Sequence, residues 1–319
     1  MSLTINRSDI DSTLRIFDAG YRHFLHETPL FRLPGKVLGI DCKEIWLKLE
    51  QLQTSGSFKA RGMLNRLISN PIPKSGVIVA SGGNAGIATA AAAKLLNVPC
   101  EVFVPTISSP AKQARLRALG ATLHVTGSAY SEALAACLER QQETGALLTH
   151  AYDQTEAVIG AGTLAAEIDR QAGSAPDSIL VSVGGGGLIA GIATWYAGTA
   201  TRVIALEPER APTLHAARAT GEPVDVPVGG VAADSLGAKR IGSIAWPITQ
   251  QHVAQSLLLD DEAIKAAQLW LWQHLQIAAE PSAALGLAAL QTGIYRPHQD
   301  ETTCLVICGA NLDLATLSS

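Results

Sequence analysis

The chain is 319 residues long, 47% hydrophobic and only 16% charged, with a formal net charge of −4. A chain of this length suits two α/β domains, and so little charge points to extensive burial, part of it at a subunit interface. The lack of a basic cluster argues against nucleic acid as a partner, and the lack of an uninterrupted apolar run of transmembrane length argues against a membrane.

In chain order, residues 1–11 are polar and lack the apolar stretch that marks a signal peptide. Short apolar runs then alternate with alanine-rich stretches, which predicts open, mostly parallel sheets flanked by helices. Strands are expected at 45–48, 77–80, 101–104, 122–125, 179–183, 203–206 and 304–308. Helices are expected at 59–69, 84–96, 110–119, 131–143, 155–171, 188–196, 261–275 and 281–291. Pro110 suits a first helical turn, and Asp260-Asp261-Glu262 places acids where a helix N-terminus favours them. Residues 208–246 are rich in glycine and proline with weak periodicity, so they read as loops with short helices that line a site.

The cysteines at 42, 100, 137, 304 and 308 are odd in number and irregularly spaced, which argues against a disulfide framework. Cys304 and Cys308 have no second ligand pair nearby, so no zinc or other metal site is expected. Reduced thiols point to the cytoplasm. The eight histidines show no metal spacing. Trp270 and Trp272 read as packing or interface residues on a helix.

Lys59 is the most informative residue, in Thr54-Ser55-Gly56-Ser57-Phe58-Lys59-Ala60-Arg61-Gly62. Glycines, small hydroxyls and one aromatic suit an amine held against a flat cofactor. The same frame also suits a lysine that opens a helix after a turn, so other segments must decide. A free lysine, with a pKa of about 10.4, reacts as an amine near neutrality only when desolvated or set beside positive charge.

Two glycine loops add weight. A strand runs into Gly184, Gly185, Gly186 and Gly187, and a helix follows from Leu188. Four adjacent glycines are conformationally costly and make sense if backbone N–H groups crowd an anion at a helix N-terminus. A tight turn between packed elements is the plainer reading. Gly185, Gly187 and Ala190 also imitate a dinucleotide fingerprint, with Glu207 placed 20 residues past Gly187 as its ribose-binding acid. That keeps a nicotinamide-dependent oxidoreductase open. The second loop, Ser81-Gly82-Gly83-Asn84, again joins a strand to a helix. Its donors suit a carboxylate or a ring hydroxyl, or an ordinary helix cap at Ser81 or Asn84.

These segments, with Cys308-Gly309-Ala310-Asn311, occur in an order that resembles the fold-type II pyridoxal-phosphate enzymes of the serine/threonine dehydratase and serine racemase family. The likeness runs from Thr28 to Asp313. It implies a two-domain α/β fold of the tryptophan synthase β type. A large cofactor-binding domain would comprise 1–75 plus 152–319, and a small domain, 76–151, would close over the substrate. The implied cofactor is pyridoxal 5′-phosphate, carried by Lys59 as a Schiff base, with Lys59 later moving protons. Phe58 would pack beside the ring, Asn84 would bond its hydroxyl, and Cys308 would approach its nitrogen. Gly184, Gly185, Gly186, Gly187 and Leu188 would wrap the phosphate. Ser81, Gly82 and Gly83 would hold the substrate carboxylate, with Asp234 near its side chain. Glu280 would lie near the cofactor or cap a helix. The implied enzyme is a cytoplasmic homodimeric ammonia-lyase that converts a small L-β-hydroxy amino acid, serine or threonine first, to a 2-oxo acid and ammonia. Elimination from 3-hydroxyaspartate, β-replacement, racemisation and an inert cofactor-binding homologue are the alternatives.

The chain departs from the family at four points. The racemase branch has a second serine, an acid/base on the opposite cofactor face, where this chain has Gly82. That branch also binds a divalent cation through an acid matching Glu207 and another six residues on, here Thr213. Asp234-Ser235 stands where many relatives have Asp-Gly. The chain ends soon after Asp313, so no regulatory domain of the biosynthetic dehydratases is expected.

Overall fold

The computed structural model describes residues 5–317. It opens with α1 (Arg7–Gly20), β1 (Leu30–Pro34), β2 (Glu44–Lys48) and α2 (Lys59–Ile68). A compact βα series follows: β3 (Val77–Ala80), α3 (Asn84–Leu95), β4 (Cys100–Val104), α4 (Pro110–Ala118), β5 (Thr122–Val125), α5 (Tyr130–Thr144) and β6 (Leu147–Thr149). Then come α6 (Thr155–Ala172), β7 (Ser178–Ser182), α7 (Gly187–Tyr196), β8 (Arg202–Pro208), α8 (Thr213–Thr220), α9 (Ala245–His252) and β9 (Gln255–Leu259). The chain closes with α10 (Asp261–Leu275), α11 (Pro281–Gln291) and β10 (Thr302–Val306).

The strands form two sheets. A six-stranded sheet has the order β1-β2-β10-β7-β8-β9, and a four-stranded sheet the order β5-β4-β3-β6. Every pairing of these strands is parallel except β1 with β2. The central strands β3, β7 and β10 are buried along their whole length, the continuous apolar pattern expected where helices cover both faces. All ten residues of α7 are buried, and α7 and α11 both pack on β7.

The differences from expectation lie at edges and surfaces. β1, β6 and β9 were not anticipated; all three are edge strands, and β6 has only three residues. The polar opening contains α1, started by a reciprocal cap. Asn6 Oδ1 accepts from Ser8 N, and Asp9 returns a carboxylate to Asn6 N at 2.9 Å. The last strand begins two residues earlier than predicted, because Thr302 and Thr303 already pair with β2 and β7. Cys308 therefore lies just past the strand, where its carbonyl accepts from Phe58 N at 3.1 Å.

A buried ionic network anchors α2. Arg61 donates to Glu50 at 2.7 and 2.9 Å and to Glu167 at 2.9 and 3.0 Å. Lys48 Nζ donates to the same Glu167 at 2.6 Å and to Thr28 O at 2.7 Å. All four charged side chains are at most 1% exposed, so each charge depends on its partners. The network ties β2, α2 and α6 together and sets the start of α2, where Lys59 stands.

Candidate active site

Lys59 is the first residue of α2, and the C-terminal ends of β3, β7 and β10 lead to the other candidate segments. In each of the two sheets that is the ligand-binding end of the parallel strands. Lys59 Nζ donates to Ala151 O at 2.5 Å and lies 4.9 Å from the centroid of the Phe58 ring. Burial lowers its pKa to about 8, against a smaller opposing effect of Cys308. A small cavity beside it is lined by Met63, Ala151, Tyr152, Gly187 and Leu188, so the lysine and the glycine loop face one space.

The loop at 184–187 joins β7 to α7. Gly186 has φ +87°, which favours glycine, and α7 has no side-chain cap. Its first N–H groups are thus free for an anion. Gly185 answers to a different constraint. A β-carbon there would lie 2.3 Å from the Tyr152 ring, and one on Gly187 would lie 2.8 Å from Tyr152 O. Tyr152 carried no sequence signal, yet it is the floor on which the loop rests. The Asp153 carboxylate accepts from Ser243 N and Ile244 N, each at 2.9 Å, holding a loop whose Gly242 N donates to Gly185 O at 3.0 Å. His150 Nδ1 accepts from Asp153 N at 3.0 Å. Burial, opposed by Asp153 and reinforced by Lys59, holds this imidazole below its ordinary pKa.

On the other side, Asn84 opens α3, whose N-cap position is Gly83, with no side-chain cap. Neither Ser81 nor Asn84 serves as that cap. Asn84 Nδ2 instead donates to Glu280 Oε2 at 2.9 Å, and Asn84 Oδ1 accepts from Asn311 Nδ2 at 2.5 Å. Glu280 also accepts from Asn311 N at 2.9 Å. Its carboxylate therefore links two loops and does not cap the backbone of α11. Burial raises its pKa, against the hydrogen bonds from Asn84 and Asn311. The buried Cys308 thiol is pushed up to about 12, first by burial and then by Glu280, so it stays neutral. Its Sγ lies 3.9 Å from Ser282 Oγ.

At the rim, Asp234 is largely exposed and paired with Lys112 of α4, while Arg115 of the same helix donates to Asn311. A β-carbon on Gly82 would lie 3.0 Å from Ser108 Oγ. Sequence reasoning missed Ala151, Tyr152, Ser108, Lys112 and Arg115, because their roles arise only from tertiary contact. Asn311 was visible within the Cys308-Gly309-Ala310-Asn311 segment, but only the fold shows what it joins.

The residues present fit a bound phosphorylated aldehyde and an amino acid. The hydroxyls of Ser55 and Ser57 are buried without partners, close in sequence to Lys59. Ser55 adopts φ +70°, a strained backbone for a serine. Buried hydroxyls left unpaired are costly, which is consistent with a polar ligand that completes them. The dinucleotide reading fails on geometry. Glu207 is fully buried, and its oxygens are engaged by α8, so it is not available to a ribose.

Comparison with known proteins places the chain in a family. The family described as pyridoxal-phosphate dependent enzyme matches residues 22–309. An L-threonine ammonia-lyase of Geobacter sulfurreducens is 38% identical over 280 residues, covering 86% of this chain and 69% of that protein. A serine racemase of Oryza sativa subsp. indica is 30% identical, covering 97% of this chain and 93% of the relative. Among solved structures, maize serine racemase superposes with a TM-score of 0.89 at 28% identity, over 98% of this chain and 95% of that one. A threonine deaminase from T.th. superposes with a TM-score of 0.88 at 32% identity, over 97% and 99% respectively.

Proposed function

This chain belongs to the pyridoxal-phosphate dependent enzyme family, and on that premise we propose that it removes water from a small L-β-hydroxy amino acid, threonine or serine, to give a 2-oxo acid and ammonia. It is a pyridoxal-phosphate-dependent lyase. The observation that carries the reading is the Lys59 amine, desolvated to a pKa of about 8 between the glycine loop and the neutral Cys308.

When bound, pyridoxal 5′-phosphate supplies a sink for the electrons left at the substrate α-carbon. The backbone N–H groups at 184–187 and Leu188, at the uncapped start of α7, would hold its phosphate. Asn84, itself oriented by Glu280 and Asn311, would bond the ring hydroxyl, and Phe58 would pack beside the ring. The Cys308 thiol, kept neutral by burial, would offer no negative charge to a ring nitrogen set near it, which suits elimination. Ser81, Gly82 and Gly83 hold the substrate carboxylate, supported by the uncapped start of α3. Asp234 and its partner Lys112 stand at the side-chain end of the substrate. The Lys59 amine takes the α-proton, since a lysine shifted toward neutrality keeps an appreciable unprotonated fraction. Residue 82 has no side chain to return a proton to the opposite face, which favours elimination over racemisation.

Residues 76–151 form the closing domain, joined to the remainder, 1–75 plus 152–319, at the rim by Lys112–Asp234 and Arg115–Asn311. No helix among the described residues is long and apolar enough to cross a membrane. We further assign a cytoplasmic homodimer, a reading supported by the free cysteines and by exposed apolar side chains such as Phe31 and Trp272. The test is a panel of L-threonine, L-serine and 3-hydroxyaspartate assayed for ammonia and 2-oxo acid. Turnover is expected on threonine or serine, and turnover on 3-hydroxyaspartate alone would overturn the substrate assignment.

A further inference from the structure

We propose that Thr213 and Glu207 tether the glycine loop through hydrogen bonds alone, where racemase relatives use a divalent cation, so that this enzyme requires no such cation. The proposal rests on the assignment of 184–187 to the cofactor phosphate.

Glu207 lies near the end of β8 and is fully buried. Its Oε1 accepts from Leu214 N at 2.7 Å and lies 3.1 Å from Thr213 Oγ1. Its Oε2 accepts from His215 N at 2.8 Å and from Ser256 Oγ at 3.3 Å. A carboxyl group has few acceptor positions, and three protein donors, Leu214 N, His215 N and Ser256 Oγ, already engage both oxygens of this one. Two of them are backbone N–H groups in the first turn of α8, which a cation would have to displace into a buried, unpaired state. The same helix terminus carries partial positive charge and opposes a cation directly.

Thr213 completes the argument. It occupies the position where a second acid would be needed, and its hydroxyl donates to Gly184 O at 2.6 Å. The first glycine of the loop is therefore held by a neutral hydroxyl on a helix turn that the Glu207 carboxyl fixes through Leu214 N and His215 N. Leu236 closes the other side, its Cα 3.2 Å from where a β-carbon on Gly184 would lie. Among the described residues, no group of three or more His, Cys, Asp or Glu side chains is placed to hold a metal.

The experiment uses the holoenzyme. After dialysis against EDTA, melting temperature, cofactor retention and turnover are measured before and after adding Mg²⁺, Ca²⁺ or Mn²⁺. A cation bound to the folded state would raise the melting temperature by mass action. No change is expected. Loss on EDTA treatment, restored by one of these ions, would overturn the proposal. Thr213→Val, isosteric without the hydroxyl, is expected to weaken pyridoxal phosphate binding about tenfold, the scale of one good hydrogen bond, and Thr213→Ser to recover most of it. If Thr213→Val does not fold, Thr213→Ala replaces it, and the cation series decides the cation claim by itself. Pyridoxal, which lacks the phosphate, separates the two readings. Equal affinity of the wild type for both compounds would remove the phosphate assignment and this proposal with it. A wild type that prefers the phosphate, with a valine variant that binds it equally well, would sink the tether alone.

Discussion

Gly185→Ala isolates the contact between the glycine loop and Tyr152. A β-carbon there would sit 2.3 Å from Cγ and Cδ2 of the ring and 2.4 Å from Cδ1. Carbon atoms pack at roughly 3.5–4.0 Å, so ring or loop must shift by about 1 Å. The ring is not free to give. It stands edge-on to His150 at 4.6 Å between centroids, and the carbonyl of the preceding residue, Ala151, holds Lys59. Overpacking of this kind costs about 1–3 kcal/mol, which predicts cofactor binding about 5- to 150-fold weaker. Titration of the apoenzyme with pyridoxal phosphate, followed by absorbance, reads the effect, and a parallel melting curve separates binding from stability. Tyr152→Ala removes the obstacle, so the double variant should recover part of the loss, with a coupling of about 1 kcal/mol or more. Unchanged affinity in Gly185→Ala, or strictly additive losses in the double variant, would refute the claim that Tyr152 dictates glycine at this position.

Three further outcomes are expected. Arg61→Met leaves Glu50 and Glu167 buried without their shared cation and should lower unfolding stability by about 3–5 kcal/mol in urea titrations. Gly82→Ser places a β-carbon 3.0 Å from Ser108 Oγ and 3.2 Å from Val104 Cγ1, which small side-chain shifts relieve. Chiral analysis of residual serine should then show racemisation rising relative to elimination, and no change would count against the role of Gly82. The rate of cofactor uptake by the apoenzyme should climb as pH rises through about 8, where Lys59 loses its proton, and a profile flat across that range would contradict the desolvated amine.

Much of the architecture was readable from local pattern. The central strands β3, β4, β7 and β8 carry continuous apolar runs, and α4 and α10 begin at signals visible in sequence, Pro110 and Asp260. Edge strands such as β1 and β9 are only partly buried, so their alternation was too weak to read. The start of α1 was legible in hindsight from Asn6 and Asp9, but its polar surface masked it. Lys59 and both glycine loops stood out because their composition is costly unless used. Tyr152, Ser108 and Arg115 did not, since an ordinary tyrosine, serine or arginine acquires its role only from what the fold sets beside it. Glu207 shows the opposite error. Its spacing from the glycine loop suggested a ribose contact, whereas the carboxylate turns inward onto α8.

Borohydride reduction of the holoenzyme, followed by peptide mass spectrometry and a parallel ammonia assay, addresses the role of Lys59 most directly. A pyridoxyl group fixed on Lys59, together with loss of both that adduct and ammonia release in Lys59→Ala, is the expected result. An adduct on another lysine, or full ammonia release by Lys59→Ala, would contradict it.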